Sequence, residues 1–205
     1  MMVAGIVLAG GTSTRMGRDK AMLPFGKELM VQRLARILGE AVSPVVVGAA
    51  ADQELPPLPP GVLIARDERP GRGPLEGICA GLSKLAAERP DIEAAFVTSC
   101  DVPLLSADFV RAMIGRLGDA EIAVPVEGDF PHPLTAVYRV SVLPHVRALL
   151  EADQLRTASL LDRVATARVD AHEFRAVDPQ LWFLKNCNRP EDYDEALKLA
   201  GLSAR

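Results

Sequence analysis

Residues 3–11 read VAGIVLAGG, and this stretch decides the fold class. Positions 3–8 are a continuous, β-rich apolar run closed by Gly10 and Gly11. A strand apolar on both sides leaves no face for water, which is the pattern of a strand in a parallel sheet covered on both faces. Parallel strands need crossover connections, so a helix is expected before the next strand. It comes after a loop. Residues 12–20, TSTRMGRDK, show no periodicity and set Arg15, Arg18 and Lys20 against Asp19, a local charge of +2. Leu29, Val31, Leu34, Ile37 and Leu38 then recur at helical spacing, and Pro44 precedes a second strand at 45–47. Together these form a βαβ unit.

The pattern repeats downstream. LPPLPPG at 55–61 reads as a stiff surface connection, too short to separate domains, and leads to a short strand at 62–64. After ARDERPGRGP comes a helix with Leu75, Ile78, Leu82 and Leu85 on one face. A buried strand at 94–98 runs into Ser99-Cys100-Asp101-Val102-Pro103, and Ser106 is a good N-cap for the helix carrying Phe109, Met113, Ile114 and Leu117. Strands near 121–125 and 134–138, a helix near 142–151, a weaker one near 157–164 and a last one near 190–200 complete the chain. The expectation is an α/β fold: a three-layer, doubly wound, mostly parallel sheet within a single domain spanning 1–205. Ligands of such sheets sit at the carboxyl ends of the strands. Three chemically unusual segments fall there: 8–20, 66–77 and 99–103.

Composition narrows the function classes. A chain of 205 residues, 49% hydrophobic and 24% charged, is about one and a third typical domains and can bury a sizeable core. Its 23 basic and 27 acidic residues leave a net charge of −4, which argues against a general nucleic-acid binder. No apolar run approaches the roughly 18 to 20 residues of a membrane span, and no basic segment precedes the first apolar stretch. A cytoplasmic protein is expected. Cys79, Cys100 and Cys187 are far apart and form no CxxC pair, so neither a zinc site nor a redox dithiol is expected. His132, His145 and His172 lack HExxH spacing, no GxSxG marks a hydrolase elbow, and Trp182 reads as packing.

The remaining chemistry points to phosphate. Adjacent Gly10 and Gly11 let backbone amides approach an anion, and Arg15, Arg18 and Lys20 supply charge suited to a triphosphate. The same residues also read as a glycine turn with solvated basic side chains; neither GxxxxGK[ST] nor GxGxxG is present. Asp101, at the end of a buried strand, is a hard oxygen ligand suited to Mg²⁺. Its alternative role, capping the next helix, is better filled by Ser106. Asp67 suits either hydrogen bonding to a base or ribose, or a surface ion pair with Arg66 or Arg69. Asn186 and Asn188, two apart, present both amides to one side of an extended segment; Asn188 is alternatively the N-cap of the helix opened by Pro190.

Leu8 to Lys20 matches LAGGxSxRMGxDK without a gap, which resembles the signature of the MobA-type molybdenum cofactor guanylyltransferases within the nucleotidyltransferase superfamily. GPLEGI at 73–78, CDVP at 100–103 and NCNRPEDY at 186–193 are similar to that family's GPLxGI, CDxP and NxNxPE, in the same order. The resemblance implies a Rossmann-like nucleotidyltransferase fold that transfers GMP from GTP to the terminal phosphate of molybdopterin, or of its molybdenum-bearing form, and releases pyrophosphate. It implies nucleotide contacts from Leu8, Ala9, Gly10, Gly11, Lys20, Asp67, Gly73 and Asp101. Catalysis falls to Arg15, Lys20 and Asp101, with Asp101 on Mg²⁺, and acceptor binding to Asn186 and Asn188. Residues 1–105 would form the nucleotide half and 106–205 the acceptor half, with other cofactor-biosynthesis proteins or molybdoenzymes as further partners. Three positions depart from the family pattern. Ala50 stands where Asn is frequent, Glu76 where a small residue is frequent, facing either solvent or the pocket rim, and Arg189 where Thr is frequent, which favours Asn188 as the helix cap. A CTP-using or other-acceptor relative, and a non-catalytic nucleotide binder, are the competing readings.

Overall fold

The structure, a computed structural model, describes residues 1–10, 19–69 and 71–202. The strands are β1 Val3–Leu8, β2 Pro24–Phe25, β3 Glu28–Leu29, β4 Val45–Ala49, β5 Leu63–Arg66, β6 Ala94–Ser99, β7 Ile122–Glu127, β8 Phe130–Pro131, β9 Thr135–Arg139 and β10 Thr166–Asp170. The α-helices are α1 Met30–Gly39, α2 Pro74–Glu88, α3 Ala107–Ile114, α4 Leu143–Glu151, α5 Ala158–Leu161 and α6 Pro190–Leu199. The main sheet runs β10-β7-β9-β6-β1-β4-β5, with β8 paired to β7. β1 is parallel to both its neighbours, as are β4 to β5 and β7 to β10. β9 lies antiparallel between β6 and β7. The connection 128–134 that leads into β9 is too short for a crossover helix, so the chain must turn back on itself.

Alternate residues of β1 face opposite layers, as a strand's two-residue period requires. Val7 lies in the layer that holds Leu34 and Leu38 of α1 and Phe109 and Met113 of α3, while Ile6 and Leu8 lie in the layer that holds Leu75, Ile78 and Leu82 of α2. The expected three-layer, mostly parallel sheet is therefore present. Ser106 caps α3 as its type and position predict, its hydroxyl accepting from Phe109 N at 3.2 Å.

Three local expectations change. Residues 24–29 form a β2/β3 hairpin whose two-residue turn holds Gly26 at φ +70°, a conformation glycine adopts without strain. The expected helix at 157–164 shrinks to the single turn of α5. β10 was missed because only Val169 among its five residues is buried, and an edge strand needs little apolar alternation. A third apolar cluster, built from Leu23, Phe25, Met30, Leu104, Cys187, Ala196 and Leu197, fastens α6 to the hairpin. No helix among the described residues is long and apolar enough to cross a membrane.

Candidate active site

Strand register brings the site together. Leu8 pairs with Gly48 on one side and Ser99 on the other, and Ala49 pairs with Arg66. The residues just past these ends, Ala9 and Gly10, Ala50, Asp67 and Asp101, thus share one edge of the sheet. Ala9 N extends the β1/β4 ladder by donating to Gly48 O at 2.7 Å. Leu8 and Ala9 are buried, so they offer a ligand backbone rather than side chain. At Gly10 a Cβ would lie 3.4 Å from Ala50 N and 3.5 Å from Asp67 Oδ2, ordinary contact distances that place Gly10 beside both residues. The candidate residues Gly11 and Arg15 lie outside the described residues.

Lys20 sits at the centre. Its Nζ donates to Asn188 Oδ1 at 2.9 Å and stands 3.7 Å from Asp101 Oδ2, with both ionic side chains about four-fifths covered. Asp101 is held from two directions. Its other carboxylate oxygen accepts from Ser99 Oγ, and its backbone carbonyl accepts from Cys187 N at 2.7 Å. Ser99 escaped the sequence reading, although its two-residue spacing from Asp101 was a signal. Arg33 of α1 donates to Pro103 O at 2.7 Å and fixes the turn beyond Asp101. Among the described residues no group of three or more His, Cys, Asp or Glu side chains converges on a common point. A lone carboxylate facing an open strand edge still fits Mg²⁺, which keeps waters and substrate phosphates as most of its ligands.

Asp67 marks the other end. Its amide donates to Ala49 O at 2.9 Å, while its Oδ1 is buried without a hydrogen-bond partner. Burial, and then the nearby Glu76 carboxylate, push its pKa up to about 6. Gly73, at φ +72°, caps α2, and Pro74 opens its first turn. Glu76 does not face solvent. It is only 5% exposed and borders a cleft between α2 and α4 with Arg69, Cys79, Ser83 and Arg147.

The raised value of Asp67 carries a stability prediction. A carboxyl that holds its proton up to about pH 6 when folded and 3.8 when unfolded stabilises the fold below pH 4 and loses that advantage as pH rises through 6. Asp67→Asn is therefore expected to stabilise the protein by about 1–2 kcal/mol at pH 7.5 and not at pH 4. Thermal unfolding of both proteins across that range checks it; equal melting temperatures at pH 7.5 refute it.

Arg189, not Asn188, is the N-cap of α6. Pro190 takes the first helical position, and Asp192 Oδ2 accepts from both Asn188 N and Arg189 N at 2.9 Å, so the third helical residue does the capping. The Asn188 amide is thereby free for Lys20. Asn186 and Asn188 are both exposed and flank the buried Cys187, but Asn186 borders a separate cleft with Lys185, Asp192 and Glu195. The structure joins Asn188 to Lys20 and Asp101 and leaves Asn186 beside them.

A family model described as a MobA-like NTP transferase domain matches residues 5–169. The chain belongs to that family. As a MobA-like NTP transferase it is a nucleotidyltransferase, and the match takes in the strand-end residues from Leu8 to Asp101 but ends before Asn186 and Asn188. A Mycobacterium tuberculosis protein named "Probable molybdenum cofactor guanylyltransferase" is 41% identical over 171 residues, covering 82% of this chain and 83% of its own. A Mycobacterium ulcerans protein of the same name is 42% identical over the same shares. Among solved structures, the Archaeoglobus fulgidus molybdopterin-guanine dinucleotide biosynthesis protein A superposes with a TM-score of 0.79 at 19% identity, over 98% of this chain and 99% of the other. The Thermus thermophilus 2-C-methyl-D-erythritol 4-phosphate cytidylyltransferase reaches 0.66 at 16% identity, over 98% and 100%. At such identities these two share the MobA-like chain's fold.

Proposed function

We propose that this MobA-like NTP transferase moves GMP from GTP to the terminal phosphate of molybdopterin, or of its molybdenum-bearing form. The observation that carries the reading is Lys20, whose ammonium group touches Asn188 and stands beside Asp101, linking the nucleotide half to the acceptor half. The names of the mycobacterial relatives, which match most of the chain, support the choice of base and acceptor.

An oxygen of the acceptor phosphate attacks the α-phosphorus of GTP, the new O–P bond forms, the bond to the β-phosphate oxygen breaks, and pyrophosphate leaves. The nucleophile is already ionised at neutral pH, so no general base is needed. Catalysis is positioning and charge stabilisation. Gly10 and Gly11 supply backbone amides to the phosphates by virtue of their residue type, Lys20 and Arg15 offset the phosphate charge, and Lys20 also meets the incoming acceptor together with Asn188 and Asn186. The Asp67 carboxylate accepts from N–H groups of guanine, and Gly73 offers backbone to the nucleotide. Asp101 holds Mg²⁺, which supplies charge neutralisation on the phosphate oxygens when bound. A divalent metal has a precedent in this fold: a Mycobacterium tuberculosis structure with a TM-score of 0.59 is described as a manganese complex.

Calorimetry with GTP, CTP, ATP and UTP in the presence of Mg²⁺, followed by pyrophosphate release on addition of molybdopterin, tests the reading. GTP is expected to bind at least about tenfold more tightly than CTP, a difference of roughly 1.4 kcal/mol, and turnover to need both substrates. A preference for CTP overturns the guanine assignment, and tight GTP binding without pyrophosphate release overturns the catalytic one.

A further inference from the structure

Lys20 is twelve residues from the end of β1, and one side chain outside the motifs ties the two together. Gln53 lies in the turn after β4. Its Nε2 donates to Ala9 O at 3.0 Å and to Asp19 Oδ2 at 2.7 Å, and its Oε1 accepts from Ala50 N at 3.2 Å. All the hydrogen-bonding directions of the amide that the site offers are used, and its orientation is forced. The reverse placement would press the amide oxygen against a carbonyl and a carboxylate. The turn that carries Gln53 is itself held by Arg66, whose Nη1 donates to Ala50 O at 2.9 Å and Gln53 O at 2.7 Å.

Asp19 passes the constraint on. Its second oxygen, Oδ1, accepts from Ala21 N at 2.9 Å and caps the short helical turn Lys20–Met22, whose Ala21 is fully buried. The Asp19 carboxylate is thus gripped by Gln53 on one side and sets the start of the Lys20 turn on the other.

We propose that Gln53 is a positioning residue that clasps Ala9 and Asp19 and thereby aims the Lys20 ammonium at Asp101 and Asn188. It touches no substrate and acts through Asp19; its effect on turnover rests on the role given to Lys20 under the proposed function. An amide suits this task because it supplies two donors and an acceptor without charge. A glutamate would set a second carboxylate against Asp19, and leucine would fill the space without any bond.

The test combines Gln53→Leu, Gln53→Glu, Asp19→Ala and the Gln53→Leu/Asp19→Ala double variant in the full chain. Misplacing Lys20 is expected to lower kcat by about ten- to a hundredfold in Gln53→Leu, and further in Gln53→Glu, with KM for GTP little changed. The double variant is expected to be no worse than the worse single one, since both changes break the same link. Hydrogen exchange at the Ala21 amide, which needs no activity, is expected to speed up in Gln53→Leu. Additive losses in the double variant, or Ala21 exchange at the wild-type rate with kcat unchanged, overturn the proposal. Wild-type protein inactive with every nucleotide, together with faster Ala21 exchange in Gln53→Leu, upholds the clasp and sinks the proposed reaction instead.

Discussion

Asp101→Ala is expected to lower turnover by about 10²–10³-fold while the fold survives, the scale on which removing one preorganised charge partner from a reacting phosphate acts. The side chain gives little to stability. Its carboxylate meets Ser99 Oγ and the Lys20 ammonium, whereas the hydrogen bond that docks residue 101 on Cys187 uses the backbone and persists in alanine. Chelating the divalent metal from wild-type protein is expected to give a loss of the same order. Pyrophosphate release with and without Mg²⁺, alongside a melting curve, separates the outcomes. An Asp101→Ala protein that retains near-normal, magnesium-dependent turnover removes Asp101 from the machinery.

Phe109→Ala is expected to cost about 3–5 kcal/mol, the penalty for deleting a fully buried aromatic ring and leaving a cavity. Phe109 stacks on Phe183 with ring centroids 3.8 Å apart and meets Phe174 and Phe96 edge-on at 4.9 and 6.2 Å. For a chain of this size the melting temperature then falls by about 8–15 °C. The loss reaches function through connectivity. Phe183 precedes Asn188 by a few residues, so loosening its seat against Phe109 also loosens the segment that presents Asn188 to Lys20. Chemical denaturation measures the stability, and a shift below about 1 kcal/mol shows that the cavity collapses without cost.

Most of the candidate edge was legible because its signals are local. An apolar run ending in two glycines, an aspartate directly after a buried strand and a serine three residues before Phe109 each carry their consequence within a few positions. The segment around Asn186 and Asn188 was legible as a motif but not as geometry. Asn188 was read as an acceptor contact or, alternatively, as the cap of α6; Asp192 takes the capping, and the Asn188 side chain turns to a lysine far away in the chain. Glu76 was read as facing either solvent or the pocket rim; it is buried beside a cleft, and its carboxylate adds to the burial that raises the pKa of Asp67. Gln53 carried no sequence signal, since three hydrogen bonds to separate segments leave no spacing to find.

From the sequence alone came the alternation of buried strands and amphipathic helices, and hence the doubly wound sheet and the edge where its ligands gather, because periodicity reports which face of each element avoids water. The same sequence placed Lys20, Asp67 and Asp101 at that edge one by one. Their joining was decided by the tertiary structure. The apolar cluster of Phe25, Leu104, Cys187 and Leu197 docks the last helix on a hairpin that periodicity does not reveal, and that docking brings Asn188 within 2.9 Å of Lys20. A side chain's partner across such a distance in the chain depends on how whole elements pack, and that packing is a property of the assembled core rather than of any window of residues.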